Sequence, residues 1–130
     1  MSHQDSKQFQ DTVLDPEAWK LSARALIEAA ALLKPSVEKF WQDVKTGAGW
    51  NDEGVAIYFM LCSFALENLL KARLVKQQQL EIKKAFTSGL GLPKMFKDHD
   101  LYRLTCKVGL DALAAEEESL FHRLTRSAVW

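Results

Sequence analysis

Apolar positions in the first half of the chain recur in alternating steps of four and three: Trp19, Ala23, Leu26, Ala30, Leu33, Val37, Phe40 and Val44. That spacing places them on one stripe of a helix. Asp15 supplies a capping carboxylate, Pro16 suits the first helical position, and Glu17 suits the positive end of the helix dipole. The seam passes Pro35 without a break, which predicts one long, kinked helix from Pro16 to about Lys45, with Pro35 on the outer side. Gly47 and Gly49 end it.

A second helix is expected from about Asp52 to Gln79, with Asn51 or Asp52 as cap. Val55, Phe59, Cys62, Leu66 and Leu69 form its seam. Ala56, Ile57, Tyr58, Met60, Leu61, Phe64, Ala65 and Leu70 fill most of the remaining circumference, a pattern that predicts burial nearly all round. Leu80 to Phe86 form a further short helical segment before Thr87, Ser88, Gly89, Gly91 and Pro93 impose a loop. Leu101, Leu104, Thr105 and Val108 mark a third helix, ended by Gly109. A last one is capped by Asp111, with Leu113, Leu120, Phe121, Leu124 and Ala128 on one face and Glu116, Glu117 and Glu118 pointing away.

No run alternates with period two, so the expected fold is all-α: an up-and-down bundle of four to five helices. Residues 1–14 lack periodicity and read as a mobile tail, with Phe9 and Val13 touching the body. Residues 15–130 form one domain, consistent with a length of 130 residues. The four tryptophans at 19, 41, 50 and 130 read as core and helix-end anchors.

Composition adds little to the fold but narrows function. Lys plus Arg equals Asp plus Glu at 17 each, so no global field draws the chain to nucleic acid or membrane. The balance is uneven: residues 71–107 hold nine basic groups against three acids, a net of +6. Such a segment either contacts phosphates or forms a solvated helix face. Cys62 and Cys106 lack metal-ligand or CxxC spacing and read as reduced core thiols. The longest nearly apolar run, Val55 to Leu66, is too short to span a bilayer, and the N-terminus has no apolar signal region, so a cytoplasmic location is expected. There is no glycine-rich phosphate loop, zinc spacing or nucleophile elbow, hence no expected metal or cofactor.

The segment Ser63-Phe-Ala-Leu-Glu-Asn-Leu-Leu-Lys-Ala72, followed about thirty residues later by His99-Asp-Leu-Tyr-Arg-Leu104, resembles the HEPN superfamily of helical, nucleic-acid-associated domains. The likeness extends over roughly Trp19 to Leu124. It implies an up-and-down bundle that commonly forms homodimers. It also implies an association with RNA or nucleotide, with RNA cleavage, with toxin–antitoxin or defence systems, or with a partner such as a nucleotidyltransferase or antitoxin. Ribonucleases of that superfamily carry an Arg, four to six residues, then a His near the start of the last helix. Here no Arg precedes a His at that distance, and His122 and Arg123 are adjacent in the reverse order. The chain stops at Trp130 within an apolar helical pattern, so a motif in residues beyond it stays open.

Three groups of side chains remain as candidates. His99 and Arg103, four apart, would share a helix face and could act as base and phosphorane stabiliser in metal-independent RNA cleavage, or be a capping histidine and a solvated arginine. Ser63, Glu67 and Lys71 form a stripe that is either a surface ion pair or the polar floor of a cleft. His122, Arg123 and Arg126 suit a helix C-terminus, and His122 and Arg126 are also candidate RNA contacts. The function expected first is binding without cleavage; the alternatives are a ribonuclease and a purely structural interaction bundle.

Overall fold

The computed structural model describes residues 3–47, 53–89 and 94–128. Among them there is no strand. The helices are α1 (His3–Val13), α2 (Pro16–Thr46), α3 (Glu53–Thr87), α4 (Leu101–Lys107), α5 (Asp111–Glu116) and α6 (Glu118–Ser127), with a 3₁₀ turn at Lys94–Lys97 before α4. The fold is an all-α bundle in which α2 and α3 form the long central hairpin, as the seams predict. The expected roles of Gly49, Trp50, Asn51, Asp52, Gly91, Pro93, Val129 and Trp130 fall outside the described residues.

The start of α2 follows from local chemistry. Asp15 has an extended backbone, and its carboxylate accepts from the Glu17 N–H at 3.0 Å, with Pro16 at the first helical position. At the other end Gly47 takes φ +69°, a left-handed cap that suits glycine because it carries no Cβ. Pro35 lies exposed inside a helix that continues past it. The residue with non-helical dihedrals is instead Gln78 of α3 (φ −123°, ψ 26°), where the expected second helix gives way to the segment containing Leu80 to Phe86.

Several expectations need correction. The sequence read as tail forms α1, whose Val13 is buried; the Trp19 indole N–H donates to the Val13 carbonyl at 2.9 Å and Gln79 to the Leu14 carbonyl at 3.0 Å. The last helix is two, broken at Glu117 (φ −108°, ψ 24°), and Asp111 is the first residue of α5 rather than its cap, which is Leu110. Ala114, Phe121 and Leu124 face the core, whereas Leu113 and Leu120 are exposed because the break rotates the two pieces relative to one regular stripe. Trp41 stands half exposed, edge-on to Phe40, and is no core anchor.

Two apolar clusters hold the bundle. Leu70 and Leu74 of α3 pack with Leu101, Leu104 and Val108 of α4 and with Ala114, Phe121 and Leu124. On another side of α3, Val75 and Ile82 pack with Val13 and Phe96, joined by Trp19. Each fully buried leucine here contributes about 1.5–3 kcal/mol. By length and composition Gly54–Thr87 could cross a membrane, yet within the fold its second half is enclosed by α2, α4, α6 and the segment before α4.

The expected all-round burial of α3 is not met in either half: in the second, Leu70, Ala72, Leu74, Val75 and Ile82 are buried while Arg73, Lys76, Gln77 and Leu80 are exposed. Ile57 and Leu69 are exposed, and Tyr58, Phe59, Met60 and Leu61 are half-buried. The polar residues Ser63, Glu67 and Lys71 are 2%, 6% and 2% exposed.

Candidate functional site

Glu67 and Lys71 stand one helical turn apart on α3, so their side chains meet. Lys71 Nζ lies 3.1 Å from Glu67 Oε2 and donates a second, 2.8 Å hydrogen bond to the Phe96 carbonyl. The other oxygen, Glu67 Oε1, is 2.8 Å from His99 Nδ1. A carboxylate only accepts, so the assignment that fits is an Nδ1–H donor. The result is a buried chain of Phe96 carbonyl, Lys71, Glu67 and His99, reaching the surface at the partly exposed imidazole. Ion pairs taken out of water persist only when their hydrogen bonds are met, and these are.

This geometry corrects both ideas about the stripe. It is no surface ion pair, and its members do not line the basic cleft beside Arg103. It also corrects the pairing of His99 with Arg103. Asp100 is the N-cap of α4, its carboxylate accepting from the Arg103 N–H at 3.0 Å, so His99 precedes the helix and turns to Glu67. The Arg103 side chain turns to carboxylates on its own side: Nε is 3.4 Å from Asp98 Oδ2 and Nη2 is 3.6 Å from Asp100 Oδ2.

The cleft lies beside that arginine. Lys94, Lys97, Asp98, Arg103 and Lys107 line about 680 Å³ of open space. Arg103 and Lys107 share a face of α4, and Lys107 Nζ is also 3.6 Å from Asp98 Oδ2. Asp98 is therefore a bracket between two cations: its Oδ1 accepts from the Asp100 N–H at 3.0 Å, and its Oδ2 holds Arg103 and Lys107 together. Four cations against one carboxylate leave the lining at a net +3. Part of the basic excess of residues 71–107 is thus gathered on one surface.

Of the remaining candidates, His122 stacks on Tyr102 (centroids 5.2 Å apart) and its Nε2 is 3.6 Å from Glu118 Oε1. Arg123 and Arg126 are exposed on α6. None of the three lines the cleft. Sequence reasoning did not single out Lys94, Lys97, Asp98 or Lys107. The available signal was the i, i+4 spacing of Arg103 and Lys107 with Asp98 just ahead of the helix.

Cys62 and Cys106 are free thiols, each half-buried. Burial raises the Cys62 pKa, partly offset by a hydrogen bond with Tyr58, and Tyr58 is raised in turn, first by the neighbouring thiolate. Cys106 is raised by burial and then by Asp111. Neither is an activated nucleophile. No group of three or more His, Cys, Asp or Glu side chains suited to a metal ion occurs among the described residues. The chain matches no protein-family model, no curated protein and no solved structure.

Proposed function

We propose that this chain is a HEPN-like helical domain that binds the phosphate backbone of RNA, or a nucleotide, in the basic cleft and does not cleave it. The observation that carries the reading is the convergence of Lys94, Lys97, Arg103 and Lys107 in a chain with no overall charge. A local cluster of this kind attracts phosphate, and Asp98 draws two of the cations together beforehand, which lowers the ordering cost of binding. Binding without cleavage fits because the Arg-x4-6-His spacing is missing and because His99 is engaged with Glu67 while Arg103 is engaged with Asp98 and Asp100.

The test is fluorescence anisotropy with a labelled single-stranded RNA at about 50 mM salt, where phosphate-driven binding is strong. Affinity falls linearly on a log–log salt plot. Changing Lys97 and Arg103 together to Gln weakens binding and flattens the slope by roughly 0.7 per lost contact. The RNA stays intact throughout. Absence of binding at low salt overturns the reading, and cleavage abolished by His99→Ala replaces it with the ribonuclease alternative.

A second copy of the chain is the proposed partner. Gly54 to Leu66 carries no charged residue, yet Ala56 and Ile57 are exposed and Tyr58 to Leu61 half-buried; Leu32 of α2 is 82% exposed. Pairing two hairpins would cover these groups as in a four-helix bundle. Light scattering should report a dimer that Ile57→Glu converts to monomer; a wild-type monomer at high concentration removes this part of the proposal.

A further inference from the structure

Lys97 and Asp98, two of the residues lining the cleft, are consecutive in the segment leading to α4, and the backbone is fastened on each side of them. Upstream, Phe96 is buried, its ring stacks on Trp19 with centroids 5.6 Å apart, and its carbonyl accepts the 2.8 Å hydrogen bond from Lys71 Nζ. Downstream, the His99 imidazole is held at 2.8 Å by Glu67. The two anchors are one unit, because Lys71 and Glu67 are themselves joined at 3.1 Å on adjacent turns of α3.

We infer that Glu67 and Lys71 are positioning residues for anion binding: by gripping Phe96 and His99 they fix the orientation of Lys97 and Asp98, and through Asp98 that of Arg103 and Lys107. The inference rests on the reading of the cleft as a phosphate site. Stability alone does not account for the pair. Two buried charges are costly to desolvate, and well-packed apolar side chains of similar volume usually serve a core as well or better. Apolar side chains cannot do what this pair does, which is to hold a carbonyl and an imidazole three residues apart at fixed points. A binding site works when the residues behind it lock the ones that touch the ligand. Lys71 and Glu67 occupy that place, since neither lines the cleft.

The test compares Lys71→Met/Glu67→Gln, which removes both buried charges together and leaves no lone one, with Lys97→Gln/Arg103→Gln, which removes cleft charges. Each is confirmed folded by circular dichroism. The probe is a short labelled single-stranded RNA, and amide hydrogen exchange is followed at residues 96–99. The buried double variant should bind roughly tenfold more weakly, the scale of loss seen when supporting partners of a site are removed. Its salt slope should stay near the wild-type value, because every cleft cation remains, and its Lys97 and Asp98 amides should exchange faster. His99→Asn, which keeps an N–H donor for Glu67, should behave nearly as wild type, and His99→Leu should resemble the double variant.

A folded double variant with wild-type affinity and unchanged exchange at 97 and 98 overturns the inference while leaving the cleft reading intact. Wild-type affinity in Lys97→Gln/Arg103→Gln overturns the cleft reading instead, and the exchange measurement still decides whether the pair orders the segment. Should the buried double variant not fold, His99→Leu tests the downstream anchor alone, with protected amides and unchanged affinity counting against the inference.

Discussion

The two halves of α3 reverse the usual relation between polarity and burial. From Gly54 to Cys62 the helix has no charge and is rich in large apolar side chains, yet among these residues only Val55 is buried. From Ser63 to Ile82 it carries a serine, a glutamate and a lysine on one stripe, and that stripe is as buried as Leu70. Apolarity states what a helix can bury, whereas neighbours decide what is covered. The second half has α2 on one side, α4 and α6 on another, and Phe96 and His99 over the polar stripe. In the first half, Phe59 and Cys62 pack against the edge of the α4 and α6 cluster while Ile57 stays exposed.

The largest expected effect breaks the comparison at its polar centre. Glu67→Ala would leave the Lys71 ammonium buried without its carboxylate, a change that costs about 3–5 kcal/mol in folding free energy. Urea denaturation would measure it as a lowered midpoint. A loss below 1 kcal/mol would mean that water reaches Lys71, and the stripe would then be surface after all.

The second effect sharpens the apolar side. Leu74 is fully buried, so Leu74→Ala should cost about 2–5 kcal/mol. Ile57 is 45% exposed, and Ile57→Ala should cost about 0.5 kcal/mol or less in the monomer. Equal losses would show that the first half of α3 is covered in solution, and a loss at Ile57 that grows with protein concentration would identify a second copy as the cover.

These contrasts also show what the sequence could reveal. The bounds of α2 were legible because they depend on neighbours in the chain: Asp15 and Pro16 at one end, Gly47 at the other, and a seam of period three and four between them. The stripe Ser63, Glu67 and Lys71 was legible as a spacing. Its burial was not, because the groups that cover it, the Phe96 carbonyl and the His99 ring, lie 25 and 32 residues away from their partners. α1 was missed for the same reason. Its residues are mostly polar, and the contacts that hold its end come from Trp19 and from Gln79, the latter 65 residues on. The charge excess of residues 71–107 could be counted, but the cleft depended on how the 3₁₀ turn and α4 face each other.

The smallest expected effect concerns Cys62, which stands where the two halves of α3 meet. Burial raises its pKa above the ordinary thiol value of about 8.5, so at pH 8 the thiolate fraction is lower than in a free cysteine and alkylation by iodoacetamide should be slower. The hydrogen bond with Tyr58 works the other way, lowering the pKa. Tyr58→Phe removes it, so the thiol should hold its proton still longer and react more slowly than in the wild type. Because the folded pKa is raised, the proton stabilises the fold fully below the unfolded value, and that contribution disappears as pH rises through the folded one. Alkylation and loss of stability should therefore both begin on the alkaline side of pH 8.5. Faster alkylation in Tyr58→Phe would mean that the tyrosine shields the sulfur from solvent more than it tunes it. The boundary between the two halves would then be set by packing at Tyr58 rather than by the hydrogen bond.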